Sequence, residues 1–153
     1  MKKSIGLKKN LERFKDDSRY KAPQKEEIVK LITEGALLFN EGRYNEAIGC
    51  YEKALQIDPT DSVVLSNMGG AYVELKKYDV ALSFLEKSIG IDPDFSAPWY
   101  NKAACLSMLG ENEEALNCLE KAVTLDPKKT SLAKTDPDFS YIRQFPRFSA
   151  IID

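Results

Sequence analysis

Between residues 28 and 129, bulky apolar and small side chains recur at helical spacing, and the whole pattern then repeats. Leu31, Leu65 and Trp99 share one register, Gly35, Gly69 and Ala103 a second, and Ala47, Ala81 and Ala115 a third, each at an interval of 34 residues. Asp58-Pro59, Asp92-Pro93 and Asp126-Pro127 close the units at the same interval. Apolar positions three and four apart define one face of an α-helix. A proline ends a helix because it lacks an N–H and collides with the preceding turn. The pattern predicts three like helical units, 28–61, 62–95 and 96–129. Ahead of them Leu7, Leu11 and Phe14 fall on one helix face among lysines, with Pro23 as a break. Behind them come short pieces carrying Phe139, Ile142, Phe148 and Ile151, interrupted by Pro137 and Pro146.

These residues resemble the tetratricopeptide repeat, a 34-residue unit of two antiparallel helices, A and B. On helix A the family places a bulky, a small and an aromatic or leucine residue, matched by Leu31, Gly35 and Leu38, by Leu65, Gly69 and Tyr72, and by Trp99, Ala103 and Leu106. On helix B the small, bulky and small positions are Ala47, Tyr51 and Ala54, then Ala81, Leu85 and Ser88, then Ala115, Leu119 and Ala122. Glu34 and Lys102 replace a usual leucine, and Ser88 a usual alanine. The resemblance implies an all-α, right-handed α-solenoid of three helix pairs over 28–129, flanked by an N-terminal helix within the basic segment 1–25 and by C-terminal capping helices over 130–153. No unit buries its faces alone, so stacking and capped ends supply the core. Gly42 and Gly110 suit a left-handed turn between helices A and B, whereas Lys76 at the equivalent place is strained by about 1 kcal/mol. Ser96 is expected to cap helix A of the third unit, with Pro98 tolerated in its first turn. Gly69-Gly70 inside a helix implies close packing or the approach of a ligand.

In this family the A helices line a concave surface, which implies a peptide-binding groove. Its lining is Val29, Ile32, Thr33, Ala36, Phe39 and Asn40 from the first unit. Val63, Ser66, Asn67, Gly70, Val73 and Glu74 follow from the second, and Ala97, Tyr100, Asn101, Ala104, Ser107 and Met108 from the third. Ala36, Gly70 and Ala104 leave room along the middle, while Phe39, Tyr100 and Met108 offer adaptable apolar area. Asn67 and Asn101 can each donate and accept, so they either hold a ligand backbone, with an apolar ligand residue beside Tyr100, or brace neighbouring helices. Family members that bind acidic chaperone tails use Lys and Asn in the first unit, Asn in the second, and Lys and Arg in the third. The matching residues here are Ile32, Ala36, Asn67, Ala97 and Asn101, so the cations are missing and an acidic tail is disfavoured.

Charge adds an asymmetry to this picture. Residues 1–25 hold nine Lys/Arg against three Asp/Glu, so the lead is basic while the chain as a whole has a net charge of -2. Three outcomes stay open for that lead: packing on the first repeat or in the protein's own groove, a lead without fixed structure, or contact with a membrane or an acidic partner. The acidic body lacks the basic stripe of a nucleic-acid binder. There is no histidine, which removes the common general base and metal ligand. Cys50, Cys105 and Cys118 have no CxxC spacing and read as small buried hydrophobes. Neither Glu113-Glu114 nor Asp136/Asp138 forms a convincing acid–base pair, and Gly69-Gly70 lacks the context of a phosphate loop. The expectation is a cytoplasmic, non-catalytic adaptor or scaffold without metal or cofactor and without a membrane span. It is a monomer or homodimer binding a neutral or apolar protein segment, the alternative being an assembly-type chaperone that dimerises through its front segment.

Overall fold

The computed structural model describes Ser18 and residues 21–153. The Leu7, Leu11 and Phe14 element therefore lies outside the described residues. Six helices form the array: α1 Ala22–Asn40, α2 Tyr44–Ile57, α3 Ser62–Glu74, α4 Tyr78–Ile91, α5 Ser96–Leu109 and α6 Asn112–Leu125. Behind them stand α7 Lys129–Thr135, two 3-10 turns at Pro137–Phe139 and Ile142–Gln144, and α8 Pro146–Ile152. No strand occurs among the described residues. The architecture is an all-α solenoid in which α1, α3 and α5 are the A helices and α2, α4 and α6 the B helices.

The helix boundaries follow from a few side chains. Asp58, Asp92 and Asp126 each turn a carboxylate oxygen back to the backbone N–H two residues on, at 2.9, 3.2 and 3.2 Å. This local turn, followed by a proline, stops each B helix at the same register. Asp61 accepts from the N–H groups of Val63 and Val64 at 2.9 and 3.0 Å and so caps α3. Ser96 does not cap α5: it is the first helical residue, and Phe95 at the cap brings no side-chain acceptor. Pro98 still sits in the first turn, where a missing donor leaves no helical bond broken.

Each A–B corner has one left-handed residue, Gly42, Lys76 and Gly110, with φ of 79, 58 and 83°. The bonds there are alike. At the second corner Lys76 N–H donates to Val73 O and Lys77 N–H to Tyr72 O, both at 2.9 Å, the crossed pair that closes a helix C-terminus. The repeat geometry thus imposes on Lys76 a conformation its Cβ resists.

Small residues set the A–B distance. A Cβ at Gly69 would stand 2.5 Å from Leu85 Cδ2, and one at Gly35 would run into the Tyr51 ring. Ser88, in place of an alanine, is wholly buried because its hydroxyl donates to the Ser62 carbonyl at 2.6 Å. Lys102, in place of a leucine, reaches Glu86 on α4 at 3.0 Å. The interior falls into three clusters: one around Ile28, Tyr51 and Met68, a small one of Val73, Ala81, Leu85 and Cys105, and one joining Leu116 and Leu119 to Phe139, Ile142 and Phe148. The last includes the C-terminal pieces expected to cap the array. Arg147 fastens α8 to α6 through Glu113, Asn117 and Glu120 at 3.2, 2.7 and 2.6 Å.

Candidate functional site

The A helices pack against one another along the array, which makes them its inner layer. Helix α3 is at the centre of that layer. Its sequence is a poor helix former, with two valines near the start and Gly69-Gly70 within it, so burial has to hold it. Ten consecutive residues, Ser62 to Ala71, are buried. Gly70 faces α5, where Asn101 Nδ2 would lie 3.1 Å from a Cβ added at that glycine.

Most residues expected to line the groove are buried. Ile32, Ala36 and Phe39 from α1 are 9% exposed or less, as are Val63, Ser66, Asn67 and Val73 from α3, and Ala97, Asn101, Ala104 and Ser107 from α5. Val29, Thr33, Asn40 and Met108 are half-buried and Glu74 is exposed. Phe39 meets Tyr44 edge-on at 5.2 Å, and Glu74 accepts from the Tyr44 hydroxyl at 3.3 Å. Thr33 donates its hydroxyl to the Val29 carbonyl at 2.7 Å. The side-chain amides of Asn67 and Asn101, 8 and 5% exposed, make no hydrogen bond with a described residue. The buried hydroxyls of Ser66 and Ser107 also lack partners.

Tyr100, expected as adaptable groove area, is also held by the C-terminal region. It is 2% exposed, and its hydroxyl donates to Asp136 Oδ2 at 2.8 Å. Phe139 meets its ring edge-on at 5.2 Å and Lys129 lies 5.5 Å from the ring centre. Burial, then Asp136, hold the phenol far above its usual range. Tyr100 therefore anchors the C-terminal cap. The sequence carried no sign of this, because its main partners lie in the irregular region beyond the last repeat. A signal exists only in hindsight: the last A helix has no following A helix, so its outward residue must meet the cap.

The cysteines are all buried and free. Burial pushes the Cys118 thiol up to about 11 and raises that of Cys50, so neither offers a thiolate at neutral pH. Asp136 and Asp138 form no acid–base pair, since Asp136 accepts from the Asp138 N–H at 3.1 Å and from Tyr100. Among the described residues no cluster of His, Cys, Asp and Glu could hold a metal ion, and no helix is long and apolar enough to cross a membrane.

A stack of helix pairs with an inner layer of small, apolar and amide side chains defines a peptide-binding, protein–protein interaction module of the α-solenoid class. Residues 40–122, more than half of the chain, match the family described as "Anaphase-promoting complex, cyclosome, subunit 3", and the chain belongs to this tetratricopeptide-type family. Human RNA polymerase II-associated protein 3 is 38% identical over 52 residues, which cover 34% of this chain and 8% of that protein. This chain thus matches less than a tenth of that relative's length. The first tetratricopeptide domain of Spaghetti (RPAP3), solved with the HSP90 peptide SRMEEVD, superposes with a TM-score of 0.64 at 29% identity, covering 71% of this chain and 90% of that one. The first such domain of human RPAP3 gives 0.65 at 26% identity, with 82 and 91% covered.

Proposed function

We propose that this chain is a non-catalytic adaptor or assembly scaffold whose concave groove holds a neutral, apolar or amphipathic segment of a partner protein. The observation that carries this reading is the pair Asn67 and Asn101, buried on adjacent A helices with no described hydrogen bond. Their amide atoms are not sealed from water, and a peptide backbone supplies both the carbonyl and the N–H that such amides can bond. Had they braced the helices, they would bond to them. Ala36, Gly70 and Ala104 beside them leave space for a ligand chain.

The Spaghetti domain is described with an acidic peptide. Here Ile32, Ala36, Ala97 and Asn101 stand where acidic-tail binders carry Lys, Asn, Lys and Arg, so the groove lacks the charge to desolvate several carboxylates. Affinity for a fitting neutral segment is expected near the micromolar range, in keeping with a small interface.

The test is selection of displayed dodecapeptides on the full chain and on an Asn67→Ala, Asn101→Ala variant with unchanged circular dichroism. Peptides poor in Asp and Glu that bind wild type and lose at least tenfold on the variant support the reading. Equal binding to both overturns the groove as the site. Saturable binding of SRMEEVD to wild type overturns the neutral preference.

A further inference from the structure

We propose that the groove is the seat of the chain's own N-terminal segment, residues 1–20, and that a partner must displace it. The proposal rests on the groove being the binding surface. Helix α3 is buried on every side from Ser62 to Ala71, yet its packing partners among the described elements are α1, α2, α4 and α5. Those helices account for its flanks and its outer side and leave the concave side. That side is nevertheless largely screened from water, with Ser66, Ala104 and Ser107 at 0% exposure and Asn67 and Asn101 at 8 and 5%, and the Ser66 and Ser107 hydroxyls have no partner there. An apolar occupant accounts for both facts, since it excludes water and offers those hydroxyls nothing.

The lead segment has the chemistry for this. Leu7, Leu11 and Phe14 share one face at helical spacing, and bulky residues on one side complement a furrow floored by Ala36, Gly70 and Ala104. Its charge fits as well. The lead is strongly basic, and the third-repeat end carries Asp136 and Asp138 beside Tyr100, with Glu74 near Tyr78. Lys129 and Arg143 are also there, Lys129 over the Tyr100 ring and Arg143 on the Asp136 carbonyl, so attraction adds orientation more than affinity. Reach is sufficient: three A helices spaced about 8–10 Å apart make a floor of roughly 16–20 Å between the outer axes, and about 14 helical residues span about 21 Å. The chain enters directly at Lys21, ahead of α1.

The experiment places a nitroxide on Lys9→Cys, opposite the apolar stripe, in the otherwise native full chain, whose own cysteines are buried. Amide NMR signals of Asn67, Gly70, Asn101 and Ala104 should lose most of their intensity, while those of Ser83, Lys87 and Gly90, exposed on α4, keep theirs. Adding Leu7→Asp, Leu11→Asp and Phe14→Asp should restore the groove signals. Attenuation that spares the groove overturns the proposal. So does attenuation in a mixture of labelled, isotopically silent chain with unlabelled, isotopically enriched chain, because a second copy is then the occupant. The two readings fail differently. Peptides that bind the groove of a chain showing no groove attenuation leave the adaptor standing without the internal segment. Groove attenuation, with the triple variant selecting no peptide, leaves an internal packing surface and removes the adaptor.

Discussion

Replacing Tyr100 with phenylalanine tests whether the cap is held as described. The change removes one oxygen and leaves the ring against Phe139, so what is lost is the bond to Asp136 at 2.8 Å. A hydrogen bond to a carboxylate contributes about 1.5–3 kcal/mol, and Tyr100 is buried while Asp136 is half-buried, so Tyr100→Phe should cost about 2 kcal/mol. For a chain of this size that is a fall in Tm of about 4–8 °C. Tyr100→Ala removes the packed ring too and should cost about 3–5 kcal/mol. Urea denaturation followed by circular dichroism gives the values. A double-mutant cycle with Asp136→Asn isolates the pair from the other bonds of Asp136 and should return a coupling of about 1–2 kcal/mol. A Tyr100→Phe cost under about 0.5 kcal/mol with no coupling to Asp136 would refute the anchor.

Other expectations are as direct. Lys76→Gly relieves the left-handed strain of about 1–2 kcal/mol and restores some chain freedom on unfolding, for a net gain of about 0.5–1 kcal/mol measurable as a rise in urea midpoint. Adjacent glycines should respond in opposite ways: Gly69→Ala drives a methyl into the fully buried Leu85 and should cost about 1–2 kcal/mol. Gly70→Ala meets only the movable Asn101 amide and should be neutral or stabilising by up to about 1 kcal/mol. Burial raises the phenols of Tyr51 and Tyr100, so above about pH 10 the unfolded chain gives up protons that the folded chain keeps. Stability should be flat from about pH 6 to 7.5, there being no histidine, should begin to fall above about 8 as the unfolded thiols of Cys50 and Cys118 ionise while burial keeps the folded ones protonated, and should fall further beyond about 10. A titration of unfolding free energy that stays flat from about pH 8 to 10 would contradict this.

The repeats were legible because their signals are local and recurrent. Asp58, Asp92 and Asp126 act on backbone two residues away, and Lys76 is strained because its corner copies those of Gly42 and Gly110. Ser88 and Lys102 broke the pattern and were explained only by distant partners, the Ser62 carbonyl and Glu86. The contact of Tyr100 with the cap is not legible in the sequence for a related reason. Its partners Asp136 and Phe139 lie beyond the last repeat, where no periodicity carries information. Ser96 failed on a finer scale, since one residue decides whether a hydroxyl stands before a helix or inside it. Groove membership was read from repeat position, but how deeply those side chains are buried was not.

The interior's division into three clusters has a mechanical consequence. Among the described residues the end clusters hold thirteen and eleven buried side chains, the middle one four. That waist adjoins the strained corner at Lys76 and the paired glycines of α3. The two ends of the described solenoid are thus expected to deform less than the middle between them. A change of curvature there would alter the width between α1 and α5, and so which occupants fit, while each end keeps its packing.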